Sequence, residues 1–235
     1  MAKGAVKATL IDTVCSNIRR DITMRVLLPG QRINVKELSV RYGTSQTPVK
    51  LALNRLISEN IVENFPRQGM AVRTVSIREI EETFDMRLML YLYYTNKIIT
   101  TVSYNKDMRE ELRNNVREHT ELIESLTPES PVDDFIKNYH YDNMFHKIYL
   151  KCSGCKKILE INDYLTPFLY SNYIFHRQSK EKDLAGVNEH SMILDAIESE
   201  DEEKLKQMLE LHMFRAKTAV GLILKVNEID IDEGI

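Results

Sequence analysis

No stretch of the 235-residue chain approaches the run of about 20 apolar residues that a membrane-spanning helix needs. Its opening residues, MAKGAVKATL, hold no apolar run long enough for a secretory signal. Cysteine is scarce, and its count of three is odd in a chain without an export signal. That pattern points to free thiols in a reducing cytoplasm, not to a disulfide framework. No internal repeat and no low-complexity segment is present. After Ile77 no segment has the alternation of a convincing strand.

What the chain does have is unevenly distributed charge. The overall net charge is −3, yet residues 1–76 carry twelve bases against five acids, a net +7, which leaves −10 for the remainder. A basic segment ahead of an acidic body points to a polyanionic partner for the first segment only.

Leu10, Val14, Ile18 and Ile22 recur every fourth residue and predict an amphipathic helix over 8–26. Pro29-Gly30 breaks it. Asn34, with Glu37 three residues later, predicts a capped short helix that Gly43 ends. Ser45 as cap and Pro48 in the first turn predict a third helix with Val49, Leu53, Leu56 and Ile57 as its buried stripe. Two β-type runs around Pro66 to Gly69 follow, as a hairpin requires. Three short helices and a wing define a winged helix-turn-helix over residues 1–75. Such a module binds double-stranded DNA, with the start of its third helix in the major groove. The candidate base readers are therefore Ser45, Gln46, Thr47 and Lys50, with Lys36, Arg67, Gln68 and Gly69 placed for the backbone or minor groove.

From residue 77 to 235 the apolar periodicity predicts six helices, over 77–103, 106–126, 131–152, 155–178, 185–199 and 201–228. Ser130-Pro131 with Asp133 reads as a capped helix start, and the acidic ESEDEE as another. The fold class is thus mainly α: a winged helix-turn-helix and an all-α bundle.

Within the bundle, Asp142 and His146 lie one turn apart on one helix face. His190 precedes Met192, Ile193 and Ala196, and His212 follows Met208 by one turn; both sit near apolar stripes. One carboxylate and three imidazoles from three helices suit Zn, Mn, Ni or Fe(II), with positions open for a ligand. The alternative is that these are core histidines with ordinary hydrogen bonds. His119, His140 and His176 have no partner at useful spacing, and CSGC without a second pair reads as two free thiols.

The stretch VKELSVRYGTSQTPVKLALNRLISENIVENFPRQGMAV resembles the N-terminal domain of the GntR family of bacterial transcription regulators. Leu38, Gly43, Ser45, Pro48, Val49, Ala52, Leu53, Arg55, Leu56, Gly69 and Val72 carry the likeness. Lys36, Gln46 and Lys50 stand where the family usually has arginine, Leu51 where it has glutamate and Asn60 where it has glycine. Losing the planar arginine fork at Gln46 and Lys50 implies an operator richer in A·T at those contacts.

DNMFH, NEHSMILDAIESED and LELH resemble the order of metal ligands in the helical FCD domain of the FadR-type branch. The resemblance implies that Asp142, His146, His190 and His212 hold a divalent metal (zinc in the protein as purified), that the core takes a small carboxylate or sugar acid, and that Arg87 grips its carboxylate. A structural salt bridge is the other reading of Arg87, and the glutamate often found shortly after it is Leu90 here. Six helices imply the VanR-like sub-branch.

The sequence therefore describes a cytoplasmic, homodimeric, effector-responsive repressor that is not an enzyme. A metal-dependent hydrolase on the bundle, or a regulator sensing an acyl thioester or peptide without metal, are the rival readings.

Overall fold

The computed structural model of the chain describes residues 8–165 and 179–232. They divide into two compact units, 8–74 and the rest. His176 and the second half of the helix expected over 155–178 lie outside the described residues.

The first unit begins with α1 (Leu10–Thr23). Its start is fixed by a capping box: the Asp12 N–H donates to Thr9 Oγ1 at 3.2 Å and the Thr9 N–H to Asp12 Oδ2 at 2.8 Å. Val14, Cys15, Ile18 and Ile22 form its buried face. A turn through Pro29-Gly30 follows, with Gly30 at φ +77°, a conformation open to glycine at little cost. Helix α2 (Val35–Arg41) is capped by Asn34, whose Oδ1 accepts from the N–H groups of Lys36 and Glu37.

Gly43, at φ +62°, turns the chain into α3 (Gln46–Ser58). Ser45 sits at the N-cap but its hydroxyl makes no capping bond, contrary to the sequence expectation. The buried stripe of α3 is Val49, Ala52, Leu53 and Leu56, with Ile57 only half-buried. Strands β1 (Val62–Phe65) and β2 (Gly69–Val72) pair antiparallel, Val62 opposite Val72 and Phe65 opposite Gly69. The loop before α2 pairs with the far edge of β2: the Ile33 N–H donates to Met70 O at 2.8 Å, and Arg32 bridges Ala71.

The second unit is all helical among its described residues. Its helices are α4 (Ile77–Tyr93), α5 (Thr95–Tyr104), α6 (Lys106–Ser125), α7 (Val132–Lys151), α8 (Lys156–Leu165), α9 (Lys180–Glu198) and α10 (Glu202–Asp232). The described residues therefore hold seven helices where periodicity predicted six. The apolar period runs through the break, but Tyr94 leaves the helical region at φ −106°, ψ 9°. Thr95 then turns its hydroxyl onto Leu92 O and Glu202 Oε1, starting a new helix. The count that implied the VanR-like sub-branch does not hold.

Pro131 occupies the N-cap of α7 without a side-chain cap, because Ser130 Oγ accepts instead from the Thr127 N–H at 2.9 Å. Helix α6 packs on α7 and α9, α10 on α4 and α9, and α8 on α4 and α7. Their common core holds Phe84, Tyr91, Leu112, Phe145, Tyr149, Ile193, Leu205 and Leu209. Each such side chain contributes roughly 1.5–3 kcal/mol by leaving water.

Candidate functional site

In the first unit, acids and bases are sorted. Asp12 pairs with Arg55, Asp21 with Arg41, Glu59 with Arg19 and Arg55, and Glu63 with Arg73. The fifth acid, Glu37, accepts from the Asn34 amide at 2.8 Å. Lys36, Lys50 and Arg67 make no ion pair among the described residues and lie exposed, as do Ser45, Gln46, Thr47, Gln68 and Gly69. Unneutralised positive charge thus gathers on α2, the start of α3 and the wing. Arg32 was not singled out in the sequence, yet it braces the wing. It donates to the Gln68 side-chain oxygen at 2.7 Å and to the Gln68 carbonyl at 3.2 Å, and its guanidinium lies 4.7 Å from the centre of the Phe65 ring.

In the second unit, three of the four candidate ligands converge inside the bundle. His146 on α7, His190 on α9 and His212 on α10 each offer a ring nitrogen, and these atoms all lie within 4.8 Å of one another. His146 Nε2 and His212 Nε2 are 3.3 Å apart. Two nitrogens bound to one tetrahedral zinc at the usual ~2.0–2.1 Å stand ~3.3 Å from each other. Asp142 borders the group, with Oδ1 3.7 Å from His190 Nε2 and Oδ2 4.0 Å from His146 Nε2. All three rings are buried, and the Phe145 ring stacks on His190 at 3.9 Å. His190 faces inward with Ile193, Leu194 and Ile197, while Met192, expected on the inner face, is 41% exposed.

The protonation of the cluster suits a cation. Burial holds His146 and His190 well below the ordinary histidine range, and neighbouring positive groups push the same way. Their imidazoles are neutral at pH 7, with lone pairs available to a metal. His212 Nδ1 donates to Glu189 Oε2 at 2.8 Å, so its Nε2 presents a lone pair to the cluster. Glu189 is anchored in turn by Arg215 at 2.7 Å. Burial pulls the Glu189 carboxyl upward, but these two partners outweigh it and leave the group below its usual range. Burial raises Asp142, against the pull of His119, His212 and Arg87.

His146 Nδ1 and both His190 nitrogens are buried without a hydrogen-bond partner among the described residues. Each such atom costs about 1–3 kcal/mol. The cluster therefore costs stability as it stands, although His212 keeps its hydrogen bond to Glu189. A cation at the convergence point would take up one of the two His190 nitrogens.

Arg87 on α4 is 5% exposed and donates to the Tyr91 hydroxyl at 3.3 Å, which donates to Asn162 Oδ1 on α8 at 3.3 Å. Its charge is near enough to depress both His146 and His190.

Spacing did not point to the groups on the other side of the cluster. His119 on α6 is buried, and its Nε2 lies 2.6 Å from Asn138 Oδ1 on α7. Its ring centre is 6.2 Å from that of His190. Asp183 on α9 is 6% exposed and near Asn138. The cysteines are free: burial pushes the Cys152 thiol up to about 12, while the Ile158 N–H and the Tyr94 hydroxyl lower that of Cys155.

Residues 10–72 match the sequence model of the bacterial regulatory proteins of the gntR family, and this segment is a GntR-family DNA-binding domain. The HTH-type transcriptional repressor RspR of Escherichia coli (strain K12) is 23% identical over 139 residues, 59% of this chain; the match spans only 57% of RspR. The gluconate operon transcriptional repressor of Bacillus subtilis (strain 168) is 21% identical over 213 residues, covering 88% of this chain and 84% of that protein. Among solved structures, E. coli McbR/YncC has a TM-score of 0.69 at 20% identity, over 91% of this chain and 97% of that one. Among the described residues no helix is long and apolar enough to cross a membrane.

Proposed function

We propose that the chain is a cytoplasmic, homodimeric transcriptional repressor whose helical domain, of the FCD type, binds a divalent metal and a small organic acid that alters operator binding. The observation that carries this is the convergence of His146, His190 and His212, with Asp142 beside them, inside the helical unit of a chain that carries a GntR-family DNA-binding domain. Repression agrees with the names of RspR and the gluconate operon repressor.

Asp142, His146, His190 and His212 would hold the metal, with Glu189 orienting His212. The donor set fits zinc, manganese, nickel or iron(II). Bound there, the cation supplies a positive pole with positions open to a carboxylate oxygen. Arg87, buried and backed by Tyr91, takes the same carboxylate by charge-assisted hydrogen bonds. The effector acts through different affinity for two states of the regulator.

At the operator, Ser45, Gln46, Thr47 and Lys50 meet base edges and phosphates, Lys36 the backbone, and Arg67, Gln68 and Gly69 the minor groove. The Ser45 hydroxyl makes no capping bond, which leaves it available to DNA. Two half-sites require a dimer.

Native mass spectrometry of protein purified without a metal-affinity tag tests the sensor half. The expected species is a dimer with one divalent metal per chain, absent from His146→Ala/His190→Ala. A wild-type dimer that stays empty after incubation with zinc, manganese and nickel would remove the metal and leave only the reader.

A further inference from the structure

The tip of the wing is a strained turn held from outside the hairpin. The Gln68 N–H donates to Phe65 O at 3.0 Å and closes the turn around Pro66 and Arg67. Arg67 takes φ +63°, the left-handed region, where a residue with a side chain persists only if its surroundings hold it. Arg32 supplies that hold. It belongs to the loop before α2, and its backbone bridges Ala71 in β2. From there its guanidinium donates to the Gln68 carbonyl at 3.2 Å and to Gln68 Oε1 at 2.7 Å, and it lies 4.7 Å from the centre of the Phe65 ring. Both ends of the turn are thereby tied to one cation.

The same bonds fix which end of the Gln68 amide is offered to a partner. A guanidinium carries donors only, so the amide atom that faces Arg32 has to be the oxygen. The amide nitrogen has no partner among the described residues, and Gln68 is exposed, so two N–H donors remain. In the minor groove an A·T pair presents acceptors only, adenine N3 and thymine O2, whereas a G·C pair adds the donor of the guanine 2-amino group. A glutamine free to rotate can answer either pair, giving its nitrogen to one and its oxygen to the other. A glutamine whose oxygen is taken answers acceptors alone.

We propose that Arg32 is a positioning residue for DNA reading: by holding Gln68 Oε1 it keeps the wing tip a hydrogen-bond donor, which selects A·T pairs in the minor groove beside the α3 contacts. This rests on the placement of the wing in the minor groove. Arg32 touches no base itself and acts through Gln68. The resulting bias lies in the flanks of the site and is separate from the base contacts of Gln46 in the major groove.

The test is selection from random double-stranded DNA by the full-length chain, followed by competition between sites that differ only in the flank. Wild type should prefer A·T over G·C at a flanking position by about fivefold or more, and Arg32→Met and Gln68→Ala should each bring this to about twofold or less, with the α3 bases unchanged. Arg32→Met keeps an unbranched apolar chain beside Phe65, and Gln68→Ala alters only the exposed tip. The double variant should lose no more than either single one, because the two residues act as one unit. Arg32→Lys, which also carries donors only, should restore part of the preference. A flank preference that survives Arg32→Met, or losses that add in the double variant, would overturn the proposal. So would a fall in affinity equal for every sequence, which would make Arg32 a structural brace only. Wild-type sites with α3 bases selected but no flank bias would remove this proposal and leave the reader. If wild type enriches no sequence at all, the operator-reading module falls and takes the proposal with it.

Discussion

The two units differ in where most of their unmet polar groups lie. In the N-terminal unit the acids are spent on structural pairs and the unpaired bases Lys36, Lys50 and Arg67 face solvent. In the helical unit the surface is laced with ion pairs, such as Arg113 with Glu198 and Lys151 with Glu111, and the unmet groups are inside. An exposed base without a partner costs almost nothing, since water solvates it. A buried ring nitrogen without one costs about 1–3 kcal/mol. On the proposed function, the first arrangement serves a large polyanion that comes to the surface, and the second a ligand small enough to enter a core.

The largest expected effect tests whether the two halves are separable. His146→Ala/His190→Ala should abolish metal retention, yet its binding to non-specific DNA should keep the wild-type affinity and salt slope. Fluorescence anisotropy against salt concentration reads the second quantity. A changed slope would mean that the histidine cluster also shapes the DNA-binding surface.

The next effect is a pH dependence confined to the helical unit. Asp183 titrates near 7 in the fold against 3.8 in the unfolded chain. A raised carboxyl favours the folded state fully only below pH 3.8, and that contribution is lost as pH rises toward 7. Asp183→Asn removes the penalty, so it should stabilise the ligand-free protein more at pH 8 than at pH 5. The difference is on the order of 2–3 kcal/mol. His146 and His190 work with the opposite sign: held below 6.5, they cost stability as pH falls through the ordinary histidine range. They are common to both proteins and cancel in the difference. Urea melts at the two pH values give the result, and an equal gain at both would deny Asp183 its buried charge.

Legibility in the sequence follows the same division. The reader domain is written in local signals: Asn34 with Glu37, Gly43 at positive φ, and four-residue periodicity. All of these act within a few residues of the chain. Spacing put Asp142 and His146 on one helix turn and His190 and His212 near apolar stripes, but only the resemblance to the FCD domain joined the four into one set. His119 was passed over for want of a partner at useful spacing, and its partner Asn138 lies on the next helix. Asp183 and Glu189 likewise gain meaning only from groups on other helices, which spacing along the chain does not reveal. The break at Tyr94 was hidden because the apolar period continues across it. Ser130-Pro131 has the composition of a cap, but the Ser130 hydroxyl serves the preceding turn.

A third effect sharpens the picture of the exposed face. With Gln46 at the start of α3, the two-bond grip available is to adenine, where arginine would grip guanine. Gln46→Arg should move selected operator sites toward guanine at that contact, by about 1–3 kcal/mol of base preference. Selection from random DNA by both proteins checks it; wild-type sites already rich in guanine there would place Gln46 away from the bases.

The smallest effect concerns how the reader tolerates a departure from its family's pattern. Asn60, just past the end of α3, has φ +59°, the left-handed region in which glycine is at home and asparagine is the best-tolerated substitute. The Ile61 N–H donates back to Leu56 O at 2.9 Å, closing the helix as glycine would. Asparagine therefore carries a modest backbone strain at this position. Asn60→Gly relieves the strain but gives the unfolded chain more freedom, so the two effects oppose. The net gain should stay below about 1 kcal/mol, seen as a small rise in the denaturation midpoint of the first unit, with DNA affinity unchanged. A loss of stability would mean that unfolded-state entropy outweighs the strain. Asparagine would then be the better terminator for this helix.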